Sequence, residues 1–230
     1  DQALSDRAAA QAYMGRTQVE GLNFVRHYIL KDGSYAGNGN VFYSEDIDKH
    51  AREADTEIQL VKADREGDKQ DFVIMNWQCH PTFIGSEQST TISADFIAPL
   101  RETFESETGL RLIYFSGASG DIVPISRITG EAKFPNDHKK FGAELAKYAI
   151  DALKTATKIE GGDGVKNTQN IVEYPCNRYG QDRLREAEIV REAFLRTGSA
   201  KGETAELAKK YGFITAYEAN GIVSCSTKPV

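Results

Sequence analysis

The sequence predicts an α/β (or α+β) domain built on a mixed sheet, with a βαβ unit at 71–116 and flanking helices. Three observations carry this. Apolar runs of strand length occur at 58–65, 71–80 and 110–116. Between the second and third, Phe96, Ile97, Leu100 and Phe104 recur at helical spacing. From Asp137 a longer helical face follows, with Phe141, Leu145, Tyr148, Ala149, Ala152 and Leu153.

In chain order, residues 1–12 are Ala-rich and polar and suit a short helix or a loose lead-in. In LNFVRHYILKDGSYA (22–36), Asp32-Gly33 separates two aromatic and β-branched runs, the pattern of a hairpin. Residues 37–54 are Gly-, Asn- and charge-rich and read as a long surface loop. IQLVKADR and DFVIMNWQCH flank the turn EGDKQ as a second hairpin. The second arm is apolar on both faces, as a strand covered on both sides requires. The helix after it is expected to begin close to Pro99 and to end at Gly109, a natural C-terminal cap. Asn136 or Asp137 caps the next helix. EGGDGVKN (160–167) reads as a turn or linker and TQNIVEYPC (168–176) as a strand. Helices are expected over about 182–197 and 203–211, with a final strand or helix in 213–230. The whole is read as a single domain.

Composition limits the function. The 230 residues are 40% hydrophobic and include 1 Trp, 10 Tyr and 11 Phe, which excludes a disordered chain. The sequence pI of about 5.4 gives no basic field for nucleic acid. No apolar run approaches the ~18 residues that mark a membrane span. The opening DQALSDRAAAQAY has no apolar core of a signal peptide and no initial Met, so a processed product or an excised piece is expected. Compartment and oligomeric state are not readable. Cys79, Cys176 and Cys225 form no CxxC pair and read as reduced core thiols.

The chemistry concentrates in 71–127. A βαβ crossover makes its two strands parallel, so their carboxyl ends share one edge, where open α/β sheets bind ligands. Those ends carry Cys79-His80-Pro81-Thr82 and Ser116-Gly117-Ala118-Ser119-Gly120-Asp121. His80 reads either as a metal ligand or general base, or as a histidine hydrogen-bonded at a strand end. The Gly117–Asp121 turn either offers N–H groups to an anion or oxyanion, or needs glycine for its conformation alone. Its spacing is not G-x-S-x-G, so Ser119 is a poor nucleophile elbow. Arg26 is a candidate anion clamp, with a plain surface arginine as the alternative. His27, His50 and His138 fall in a hairpin, a charged loop and a helix start, and no compact metal pair is present.

NWQCHPTFIGSEQSTTISADF followed by LIYFSGASGDIVP resembles the core of the neutral (non-lysosomal) ceramidase family, and GLNFVRHY and ADTEIQLVKADREGDK resemble segments upstream of it. The resemblance covers roughly residues 15–155. It implies a zinc-dependent amidase that hydrolyses the N-acyl bond of ceramide-like lipids, with His80 as one zinc ligand and Arg26 near the substrate amide. The partner implied is a small-molecule or lipid amide. The family's serine before the turn proline is replaced by Val123, in Gly120-Asp121-Ile122-Val123-Pro124. The family's other ligands are expected before residue 1 and after residue 230, so the chain reads as a middle piece, inactive alone. The alternative is a non-catalytic binding or scaffold domain that retains the fold.

Overall fold

The structure, a computed structural model, describes residues 2–37, 45–84, 90–161, 167–173, 179–213 and 215–227. Its elements in chain order are α1 (Gln2–Ser5), β1 (Ala10–Gln18), β2 (Phe24–Val25), β3 (His27–Leu30), β4 (Tyr35–Gly37), β5 (Ile47–His50), β6 (Glu57–Arg65), β7 (Phe72–Trp77), α2 (Ile97–Thr108), β8 (Arg111–Ser116), β9 (Ile122–Val123), α3 (His138–Lys154), β10 (Thr157–Lys158), α4 (Gln181–Thr197), α5 (Glu203–Lys210) and α6 (Ala216–Thr227). The chain divides into two compact units, one of residues 1–34 and 43–163, the other of 35–42 and 164–230.

The first unit is a five-stranded mixed sheet in the order β10-β1-β6-β7-β8. The strands β6 and β7 pair antiparallel, from Gln59↔Asn76 to Ala63↔Phe72. The strands β7 and β8 pair parallel, from Phe72↔Arg111 to Trp77↔Ser116. The predicted βαβ unit is therefore present, with α2 as its crossover. Strand alternation sends Val73, Met75, Trp77 and Leu112 to one face, where they are buried with Phe96, Leu100, Phe104, Phe141 and Leu145 of the helical layer. Ile74, Ile113 and Phe115 point the other way and stay exposed at 37%, 44% and 55%.

Three local features hold the helical layer. Gly109 caps α2 in the left-handed conformation, its N–H donating to Glu105 O at 2.9 Å. Asp137 caps α3, its carboxylate accepting from Lys140 N at 2.9 Å. Gly142 permits a close helix crossing: a Cβ there would lie 2.5 Å from Phe96 O and 2.7 Å from Pro99 Cγ.

The fold differs from the sequence reading in four places. The strand β7, expected to be covered on both faces, is buried on one only, and Ile74 on the other is 37% exposed. Residues 10–18 form β1, an interior strand of the sheet and not part of a lead-in. Its alternation is diluted by Ala, Gln and Gly15, and the glycine is required because a Cβ there would lie 2.1 Å from Ala152 O of α3. The loop expected over 37–54 contains β5, which pairs antiparallel with β3 through Tyr28↔His50 and Ile29↔Lys49. The strand expected at 168–176 is not formed over 167–173, where Ile171 and Val172 are 91% and 60% exposed. An apolar pair with no facing partner does not make a strand. Residues 174–176 lie outside the described residues.

The second unit packs α4, α5 and α6 around Ala187, Val190, Ala208, Phe213, Ala219 and Ile222. The charged helix expected at 182–197 thus has a buried stripe, and the open choice in 213–230 resolves as a helix. The Arg183 guanidinium lies 3.6 Å from the Phe213 ring centroid. Among the described residues, no helix is long and apolar enough to cross a membrane. Cys79 is buried and free, with its thiol pushed well up by burial and secondarily by the Asp95 charge. Cys225 is free and half-buried, and Cys176 lies outside the described residues.

Candidate functional site

The parallel register of β7 and β8 brings their carboxyl ends side by side, and hydrogen bonds then join the two following segments. Gly117 N–H donates to Trp77 O at 3.0 Å, and His80 N–H donates to Ile122 O at 2.9 Å. The Ser116 hydroxyl reaches Cys79 O at 3.4 Å and Ser119 Oγ at 3.1 Å. His80 and the 117–121 turn are thus neighbours at one sheet edge, as the βαβ reading predicts. The His80 side chain is exposed while Cys79 behind it is buried. The backbone anchors the residue and leaves the imidazole to solvent.

The turn is tight. Ile122 N–H donates to Ser119 O at 3.1 Å. A Cβ on Gly117 would lie 2.5 Å from Gln78 Oε1, so any side chain there has to displace the buried Gln78 amide. Gly120 is different: nothing lies within 4 Å of a Cβ position, and the residue is exposed. The N–H groups of Ala118, Ser119, Gly120 and Asp121 donate to no acceptor among the described residues.

Val123 sits where the resembling family places serine. It is 5% exposed and belongs to β9, which pairs antiparallel with β2 through Phe24↔Val123 and Val25↔Ile122. An apolar strand residue facing the interior carries no polar chemistry. This pairing does bring Arg26 to the turn, because Arg26 N–H donates to Asp121 O at 2.8 Å. The Arg26 guanidinium itself makes no hydrogen bond or ion pair with a described residue. Arg52, from the segment after β5, forms an ion pair with the Asp121 carboxylate, and its side chain remains 69% exposed. Burial and then the Arg26 charge hold the His27 imidazole below its usual range, with Asp121 opposing and Arg52 reinforcing.

His50 is structural. Its ring contacts Val25 O at 2.6 Å through Nδ1, and Ser126 Oγ at 3.1 Å and Glu131 Oε2 at 2.8 Å through Nε2. It stacks on Phe24 with centroids 5.7 Å apart. Serine and carboxylate share one ring nitrogen, which is not the geometry of a catalytic triad. His138 opens α3, but the cap is Asp137.

Arg52 and Asn23 are the residues that sequence reading misses. Asn23 is 4% exposed and donates to Asp55 O at 2.8 Å and Gln78 O at 2.9 Å, tying the loop before β6 to the end of β7. Its signal was a polar residue inside the apolar LNFV. Arg52 had no local signal, since its role depends on the β3–β5 pairing.

Among the described residues, no group of three or more His, Cys, Asp or Glu is arranged to hold a metal ion. A zinc site normally draws on at least three protein ligands. The described residues therefore do not by themselves fit the zinc that the family resemblance implies. A cavity of about 260 Å³ lined by Tyr13, Lys62, Asp64, Leu110, Leu153 and Ala156 lies at the other end of the sheet, away from His80.

No family model matches the chain, and no curated protein matches it. Among solved structures, the chain is similar to neutral ceramidase from Pseudomonas aeruginosa, with a TM-score of 0.46 and 11% identity over 64% of this chain. A ceramidase complexed with C2 is similar at a TM-score of 0.46 and 13% identity, again over 64% of this chain. The chain spans 23% of the length of each.

Proposed function

We propose that this chain supplies the amide-binding edge of a ceramidase-like N-acyl amide hydrolase. The observation that carries the reading is the junction of His80 with the 117–121 turn, made by the Gly117–Trp77 and His80–Ile122 hydrogen bonds. The free N–H groups of the turn face the demand of an amide carbonyl, whose oxygen gains charge as water adds to its carbon. In that hydrolysis water oxygen bonds to the acyl carbon, the C–N bond breaks and the nitrogen takes a proton. His80 has an exposed ring able to accept or donate that proton, or to serve as one ligand of a metal completed by residues other than those described. No step is assigned to zinc, because the described residues do not form a site for it.

A second reading is a non-catalytic binding domain. It is favoured by Val123, an apolar strand residue at the position where the resembling family carries serine.

The test is calorimetric titration of the chain with a short-chain N-acyl sphingosine, alongside an acyl-release assay with added zinc. The proposal expects one-site binding that weakens about tenfold or more in His80→Ala. No binding, or binding indifferent to His80, would overturn it. Acyl release that vanishes in His80→Ala favours the hydrolase, and binding without release favours the second reading.

A further inference from the structure

Asp95 is a buried carboxylate that the proposed reaction does not use. It is 5% exposed. Among the described residues it is the only non-glycine residue with a positive φ, at 55°. That backbone region disfavours residues with side chains, although aspartate tolerates it better than most. Such outliers persist where surrounding contacts over-determine them, and they gather at functional sites.

The Asp95 N–H donates to Ser93 Oγ at 3.0 Å. Its Oδ1 accepts from Phe96 N–H at 2.7 Å, just before α2, and its Oδ2 accepts from Ile84 N–H at 2.8 Å. Ile84 lies on the segment that follows His80, so one carboxylate ties that segment to the start of the helix. An amide in its place would turn its NH₂ toward one of the two donors. The stretch 80–84 is held along its length. His80 N–H donates to Ile122 O at 2.9 Å. Pro81 confines the His80 backbone to extended conformations. The Phe83 ring packs on Phe141 and Phe96, with centroids 4.9 Å and 6.5 Å apart. The Asp95 carboxylate fixes the far end. Its charge also pushes up the thiol of Cys79, the residue before His80, after the larger effect of burial.

We propose that Asp95 is a positioning residue for His80: by binding Ile84 N–H it sets the backbone that places the imidazole at the sheet edge. This rests on the amide-binding reading of that edge and adds the residue that holds its histidine in place.

The experiment is a double-mutant cycle on the whole chain, read by calorimetric titration with N-hexanoylsphingosine. Asp95→Gly accepts the backbone conformation and removes both acceptors, and Asp95→Asn keeps one. Misplacing the imidazole should weaken binding by about tenfold in Asp95→Gly and about threefold in Asp95→Asn. Because Asp95 acts through His80, Asp95→Gly should cost less than about twofold when added to His80→Ala. Glu105→Gln, at the opposite end of α2, is the control for a loss of stability alone, and its affinity should stay within about twofold of wild type. Circular dichroism melts establish that each variant folds, and where Asp95→Gly does not, Asp95→Asn carries the same cycle. Wild-type affinity in a folded Asp95 variant, or effects of Asp95 and His80 that multiply in the double variant, overturns the proposal. If His80→Ala weakens binding and the Asp95 variants do not, the amide-binding reading stands and the positioning role does not. If wild type binds nothing, or binds indifferently to His80, both are wrong.

Discussion

His80 and Gly117 lie on the two segments that follow β7 and β8, and they answer to different constraints. His80 keeps its backbone N–H on Ile122 O and its ring in solvent, so its side chain contributes little to folding. His80→Ala should change unfolding free energy by less than about 0.5 kcal/mol, measured by urea denaturation, while weakening ligand binding. Gly117→Ala should do the reverse first: its Cβ would meet Gln78 Oε1 at 2.5 Å. Overpacking of this kind costs about 1–3 kcal/mol. Glu105 gives a pH test. Leu112 N–H donates to its carboxylate at 3.0 Å and Arg111 pairs with it at 2.8 Å, which holds its carboxyl below the usual range. A carboxyl depressed in the folded state adds stability above its unfolded value, and that stability is lost as pH falls through the folded value. Glu105→Gln should therefore be less stable than wild type at neutral pH, by about 1 kcal/mol. The gap should close in acid melts below the ordinary glutamate range. The nearness of His80 to the 117–121 turn was readable, because strand ends and glycine turns leave local marks. Arg52 was not, because nothing in 37–54 marks the strand β5 that carries the chain to it.

At the scale of elements, the βαβ unit was readable because α2 carries a strong stripe between two apolar runs and ends at Gly109. The strand β1 was not, because its face toward α3 includes Gly15, a residue chosen for helix clearance that erases the alternation. The same logic makes the α2–α3 crossing fragile at Gly142. Gly142→Ala gains helix propensity of about 1 kcal/mol. It also drives a methyl group to 2.5 Å from Phe96 O, a backbone atom that a side-chain rotamer cannot move aside. The net expectation is a loss of about 1–3 kcal/mol. For a domain of this size that lowers the thermal midpoint by several degrees, at about 2–4 °C per kcal/mol. A midpoint equal to or above wild type would show that the two helices can separate without cost.

For the molecule as a whole, the sequence reads as one domain, because the helical stripes of 181–227 resemble those of the first unit, although the boundary at 163/164 falls inside EGGDGVKN, which reads as a turn or linker. The central claim concerns the first unit alone: ligand meets the carboxyl edge of β7 and β8, where His80 and the 117–121 turn lie. The competing location is the amino-terminal edge, with its cavity of about 260 Å³ lined by Tyr13, Lys62, Asp64, Leu110, Leu153 and Ala156. The most direct measurement is a ¹H–¹⁵N correlation titration of the labelled chain with a short-chain N-acyl sphingosine. The account predicts saturable shifts at the amides of Gly117, Ala118, Ser119, Gly120 and Asp121, with the His80 ring resonances moving at the same ligand concentrations. Shifts centred instead on Tyr13, Lys62 and Leu110, with the turn unmoved, would contradict it.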